Sequence, residues 1–179
     1  WKSGFIPSEV NYNYTEANSW QYSFFVPHDM KGLIDLHGGE KLFQEKLDDL
    51  FTVNSTLAGR NQADITGLIG QYAHGNEPSH YMAYLYNMVG NPIKSQKMVN
   101  NILNEMYSTQ PTGIIGNEDC GQMSAWYVLS SIGLFDANPG DPYYVIQTPI
   151  FKDVIINLEN GNHFKIVSNT NDSECIYIN

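Results

Sequence analysis

Three short stretches hold most of the side chains able to do chemistry. Gly116-Asn117-Glu118-Asp119-Cys120-Gly121-Gln122 is an acidic, glycine-flanked turn running into an apolar helical stretch that ends near residue 134. His74-Gly75-Asn76-Glu77-Pro78-Ser79-His80 sets an amide, a carboxylate and two imidazoles around a proline. Glu16 precedes Trp20 by four residues, with Gln21 beside it. Carboxylates on rigid elements can divide the roles of acid and base in a hydrolysis, provided their surroundings differ.

Each group also has a purely structural reading. Asp119-x-x-Gln122 has the form of a capping box, so Asp119 is either a helix N-cap or a general base held at a rigid helix start. A carboxylate fully used as a cap is the poorer base. Glu16 falls in the first turn of a helix expected over about 16–25, where an acid complements the helix dipole. On that helix Trp20 shares its face, and an indole beside a carboxyl raises its pKa, as a general acid requires. Asn76 is either an N-cap or, with Glu77, part of a set of hard oxygen donors suited to Ca²⁺ rather than Zn²⁺. His74 and His80 lack the i, i+4 spacing of a helical zinc pair, and contacts to sugar hydroxyls suit them better.

The elements that must position these groups are mostly helical. Short helices are expected over about 16–25, stopped by Pro27, and over 30–36, closed by Gly38-Gly39. Leu42, Phe43, Leu47, Leu50 and Phe51 form one face of a helix over 40–53, with Glu45, Lys46, Asp48 and Asp49 opposite. A polar connection over 54–70 leads to a helix over about 81–89. Asn91-Pro92 then restarts a helix at once, an αα-hairpin. Residues 121–134 are so apolar that burial on most sides is expected. After Pro139-Gly140 come β-rich runs at 143–148, 154–158, 164–167 and 176–178, with Glu159-Asn160-Gly161-Asn162 as a hairpin signal. The expected division is 1–137, helical, and 138–179, an antiparallel β unit.

Bulk properties narrow the function. The 179 residues carry a net charge of −10, which opposes binding to nucleic acid or to anionic membrane surfaces. No apolar run approaches the roughly 18 residues of a membrane-spanning helix. Aromatic residues make up 13%, which suits sugar stacking as well as a core. Two cysteines suggest neither a disulfide framework nor a zinc site. The chain begins at Trp1 without a leader, so an excised or truncated piece is expected.

Five stretches in order resemble glycoside hydrolase family 92, the calcium-dependent exo-α-mannosidases. They are Glu16 to Tyr22, Val26-Pro27-His28-Asp29, His74 to Tyr81, Leu85 to Gln96, and Gly116 to Tyr127. The resemblance implies inverting removal of terminal α-linked mannose, of α-1,2 type, from glycans such as N-glycans. It places Glu16 on the family's general acid and Asp119 on its general base. It sets Asn76 and Glu77 in the stretch that supplies calcium or sugar contacts. Trp20, Gln21, His74, His80, Asn117 and Glu118 are then candidates for sugar binding.

The implied fold is an (α/α)6 barrel packed against an N-terminal β-sandwich, in a secreted, periplasmic or cell-surface protein. This chain would be the C-terminal part of that barrel plus a β extension, inactive alone and prone to dimerise or aggregate through exposed helix faces. Ala17 stands where the family pattern has Gly, and Tyr81 where it has a second His. Another (α/α)6 inverting glycosidase or phosphorylase, or a noncatalytic carbohydrate-binding helical domain, are the competing readings.

Overall fold

A computed structural model describes residues 4–169. The helices are α1 (Ser19–Tyr22), α2 (Met30–Leu36), α3 (Glu40–Thr52), α4 (Leu85–Met88), α5 (Pro92–Glu105) and α6 (Gln122–Ile132). Two 3₁₀ turns, Glu77–Ser79 and Met82–Tyr84, precede α4. The expected continuous helix over 81–89 is therefore a 3₁₀ turn followed by the short helix α4. Tyr81, Met82, Ala83, Tyr84, Leu85 and Tyr86 are all buried, and a single amphipathic helix would not bury six consecutive side chains.

The first expected helix is also shorter than its pattern. Glu16 stands outside it at φ 53°, and Asn18 is the N-cap, its side chain accepting from the Trp20 and Gln21 amides. Asn18 and Gln21 form a reciprocal capping box, the pattern that Asp119-x-x-Gln122 also carries. By contrast α2 and α3 follow their apolar periodicity closely. Asp29 caps α2 through the Gly32 amide, and Gly39 opens α3.

The core runs along one side of α3 and between α5 and α6. Phe43, Leu47 and Leu50 of α3 are fully buried, as are Phe24, Tyr72, Tyr86 and Ile102. Each such side chain contributes about 1.5–3 kcal/mol through burial. The outer face of α3 carries exposed pairs, Lys41–Glu45 and Lys46–Asp49, which contribute little. Tyr84 and Phe135 stack at 4.1 Å between ring centroids, joining the 3₁₀ turn to the strand after α6.

Strands are short and paired in twos. β1 (Glu9–Val10) runs parallel to β2 (Ala58–Gly59), and β3 (Leu68–Ile69) forms a hairpin with β4 (Tyr72–Ala73). β5 (Leu134–Phe135) pairs with β6 (Val145–Ile146), and β7 (Asp153–Asn157) with β8 (His163–Val167), both antiparallel. The last pair turns at the Glu159-Asn160-Gly161-Asn162 signal. The expected run at 176–178 lies outside the described residues. At the β3–β4 turn a side chain on Gly70 would lie 2.3 Å from the Leu50 carbonyl. That close approach lets Gln71 donate its amide hydrogen to the same carbonyl at 2.7 Å.

The expectation for 121–134 is corrected. In α6 only Met123, Trp126, Ser130 and Ser131 are buried. They form one stripe at helical spacing, while Ala125 is exposed and Val128 is 55% exposed. Apolar composition reports how many faces can be covered. Which faces are covered depends on neighbours that composition does not reveal.

Candidate active site

The β3–β4 hairpin is the platform for two of the three carboxylate loops. Gln71 is fully buried and accepts a hydrogen bond from Asn18 Nδ2 at 2.7 Å, while its carbonyl accepts one from Gln21 Nε2. This ties the segment just after Glu16 to the hairpin. From the other direction Asn76 Nδ2 donates to the Glu16 carbonyl at 2.9 Å. Glu16 is thus held between β4 and the loop following it. Its positive φ is uncommon for a residue with a side chain and requires such fixing from both sides.

The third loop docks on the second through two glycines. A side chain on Gly116, at φ +74°, would come within 2.9 Å of Thr66 Oγ1 and 3.1 Å of the Gly75 carbonyl. The acidic loop beginning at Gly116 therefore lies directly against the loop carrying Asn76 and Glu77. Asn117 Nδ2 reaches Asp64 Oδ1 at 3.3 Å, and a chain of polar contacts continues through Gln62 to Arg60.

Glu77 reports how closely the carboxylates approach. Burial raises its pKa, and the Asp119 carboxyl, within hydrogen-bonding reach, and the charge of Glu16 raise it further. Its Oε1 is buried without a hydrogen-bond partner. Glu77 thus faces carboxylates of two other loops, Asp119 within hydrogen-bonding reach and Glu16 through its charge alone. Two of the residues, Glu16 and Asp119, have left-handed backbone, as does Cys120. Cys120 is the third and last positive-φ residue other than glycine among the described residues.

Asp119 does not cap α6. The cap is provided by its neighbour: Glu118 Oε1 accepts from the Ser124 amide at 3.0 Å and Oε2 from the Gly121 amide. Hydrogen bonds from Ser124 lower the pKa of Glu118. Glu118, expected as a sugar contact, thus holds the helix start through both of its oxygens.

Other expected sugar contacts are engaged inside the protein. His74 is fully buried, with Nδ1 2.7 Å from Tyr72 Oη and Nε2 2.7 Å from Tyr107 Oη. Tyr107 donates its hydroxyl hydrogen to the Met123 carbonyl at 3.1 Å. It therefore accepts from His74 Nε2–H, and Nδ1 accepts from Tyr72. His80 donates from Nε2 to the His74 carbonyl at 3.0 Å, and Trp126 Nε1 donates to the His80 carbonyl. Burial holds both imidazoles neutral, with pKa values of about 3 for His74 and about 4 for His80.

Gln21 is likewise buried with both ends of its amide bonded, Oε1 accepting from the Asn18 amide at 2.7 Å. Trp20 does not share a helical face with Glu16, since the helix begins after Glu16. Its ring instead lies 3.9 Å from Lys46 Nζ. Tyr81 accepts from the Val26 amide, so it too serves the scaffold.

Tyr107 is a residue that sequence patterns do not single out, because it follows α5 with no motif around it. It joins the His74 hairpin to the first turn of α6, and so to the loop of Asp119. Tyr107→Phe strands His74 Nε2–H and removes a bond to the Met123 carbonyl. We expect a loss of about 1–3 kcal/mol in chemical denaturation. An unchanged midpoint would remove Tyr107 from the framework.

Among the described residues no group of three His, Cys, Asp or Glu side chains is arranged to hold a metal ion by itself. The donor chemistry nevertheless fits a hard divalent cation, since Glu77 offers an unpartnered carboxylate oxygen in a strongly negative setting. Carbonyls, water and substrate hydroxyls would have to complete such a shell.

The model of the glycosyl hydrolase family 92 catalytic domain matches residues 1–179. The chain belongs to glycosyl hydrolase family 92. A GH92 α-mannosidase from Bacteroides thetaiotaomicron, solved in complex with mannoimidazole, superposes with a TM-score of 0.83 at 37% identity, over 93% of this chain and 23% of its own. A second enzyme of that bacterium, described as a GH92 inverting mannosidase, gives 0.79 at 34% identity, over 97% and 25%. A protein of Arthroderma benhamiae described as an uncharacterized secreted glycosidase is 36% identical over 141 residues, which are 79% of this chain and 16% of that protein. The chain thus spans about a quarter or less of the length of these family 92 relatives. Its fold is part of the family's (α/α)6 barrel, followed by a small antiparallel β unit. No helix among the described residues is long and apolar enough to cross a membrane.

Proposed function

We propose that this chain carries the acid, the base and the cation-binding carboxylate of an exo-acting, inverting, calcium-dependent α-mannosidase. Its substrate is a terminal α-linked mannose, of α-1,2 type, on a glycan such as an N-glycan. What supports this reading is that Asn76 is bonded to the Glu16 backbone, while Glu77 next to it has Asp119 within hydrogen-bonding reach and feels the charge of Glu16. Asp119 removes a proton from water as its oxygen attacks the anomeric carbon. Glu16 delivers a proton to the departing glycosidic oxygen. Mannose and an alcohol leave, and the anomeric configuration is inverted because water attacks the face opposite the leaving group.

Glu77, with the Asn76 side-chain oxygen as a further donor, would hold calcium. Bound there, the ion offsets the mutual repulsion of the carboxylates and binds sugar hydroxyls. Asn117, bonded to Asp64, is a further sugar contact. The exposed face of α6, with Ala125 and Val128, packs on the rest of the barrel, and an N-terminal β-sandwich domain completes the enzyme. Residues 1–137 are the catalytic region and 138–179 the β extension. The isolated chain is inactive, and the whole protein acts outside the cytoplasm.

The cation site has a thermal signature. Folding raises the pKa of Glu77, so its ionised form is disfavoured in the folded state. In the absence of calcium, its contribution favours folding at low pH and is lost as pH rises through the raised value. At pH 7, Glu77→Gln should therefore raise the melting temperature of the calcium-free full-length enzyme. Calcium at 100 times its Kd should stabilise the wild type by about 2.7 kcal/mol and the variant by far less. Equal calcium responses would remove Glu77 as a ligand. Mannose release that survives thorough chelation would remove the metal from the reaction.

A further inference from the structure

The loop before α6 contains three consecutive left-handed residues, Asp119 at φ 50°, Cys120 at 57° and Gly121 at 96°. Left-handed residues normally occur singly, and only the last of these is glycine. Something must hold the turn. The hydrogen bonds at the helix start show what does. The Gln122 amide donates to the Asp119 carbonyl and the Met123 amide to the Glu118 carbonyl. The Gly121 and Ser124 amides donate to the two carboxylate oxygens of Glu118. The first intrahelical bond follows, from the Ala125 amide to the Gly121 carbonyl. Every amide from 121 to 124 is satisfied, and the Asp119 carboxylate is used for none of them.

We propose that Glu118 is a positioning residue for Asp119: its carboxylate occupies the helix cap, clamps the left-handed turn, and so leaves the Asp119 side chain directed at Glu77. The proposal rests on the reading of Asp119 as the general base. Asp119 is a residue type that caps helices well, and it sits next to the cap. With Glu118 truncated, two amide donors lose their acceptor, and the carboxylate of the adjacent Asp119 can compete for them. Its capture by the helix would take the base out of the cleft without unfolding the protein.

The test is a double-mutant cycle in the full-length enzyme, with Asp119→Asn, Glu118→Ala, Glu118→Gln and the Glu118→Ala/Asp119→Asn pair. We expect Glu118→Ala to lower kcat about 10²-fold, the scale for displacing a reacting group by an ångström, with KM little changed. Glu118→Gln keeps one acceptor oxygen and should lose less. The pair should be no slower than Asp119→Asn alone, because Glu118 acts only through Asp119. A raised KM with kcat intact would make Glu118 a sugar contact and overturn the proposal. So would losses that multiply in the pair, or an unchanged kcat in Glu118→Ala. If Glu118→Ala does not fold, Glu118→Gln carries the same test in the pair. If Asp119→Asn itself retains turnover, the base assignment fails first, an outcome distinct from the failure of the clamp.

Discussion

Asp119→Asn in the full-length enzyme is expected to lower kcat by about 10²–10⁴-fold on every α-mannoside, with little change in KM. The variant isolates the proton-accepting role. Asn matches Asp in size and tolerates the left-handed backbone that Asp119 adopts at φ 50°. The α6 cap is untouched, because Glu118 and not Asp119 accepts the Gly121 and Ser124 amides. Loss of turnover can therefore not be assigned to a frayed helix. Steady-state kinetics alongside melting curves read the two effects separately. Retained turnover would remove Asp119 as the base.

Glu16→Gln is expected to cause a loss of similar size on mannobiosides, whose leaving group is an unactivated sugar hydroxyl. Such an oxygen departs slowly as an alkoxide and needs a proton as the bond breaks. The position is again well suited to an isosteric change. The Glu16 backbone, rather than its side chain, accepts the Asn76 amide that ties the two loops together. Binding should persist, so KM for the same substrate should move little. A large rise in KM with kcat preserved would assign Glu16 to substrate binding instead.

What was legible in the chain follows the physics of each element. Helices α2 and α3 were legible because apolar side chains recur at helical spacing and Gly38-Gly39 marks the break between them. The β7–β8 hairpin was legible from β-rich runs on either side of Asn160-Gly161. The stretch 81–86 was not, because burial on all sides erases the periodicity that separates an α-helix from tighter turns. The motifs located the loops that carry Glu16, Glu77 and Asp119, but not the backbone state that aims them. Nothing in the order Glu118-Asp119 says which carboxylate caps the helix and which is left over. That follows from a left-handed turn shared by Asp119, Cys120 and Gly121. The same limit applied to His74, His80 and Gln21. Their polar ends suggested a sugar, and only the buried network of Tyr72, Tyr107 and Gln71 shows what they bind. Trp20 was misplaced because four-residue spacing means a shared face only inside a helix, and Glu16 lies before one.

The most direct test of the acid–base pair is the ratio of losses on two leaving groups, measured for both variants in one experiment. Each full-length variant is assayed with an α-mannobioside and with 2,4-dinitrophenyl α-mannoside, whose phenolate departs without a proton. With Glu16 as the acid and Asp119 as the base, Glu16→Gln loses far more on the disaccharide than on the activated substrate, while Asp119→Asn loses equally on both. Equal losses for Glu16→Gln on the two substrates, or the split pattern for Asp119→Asn, would contradict the assignment.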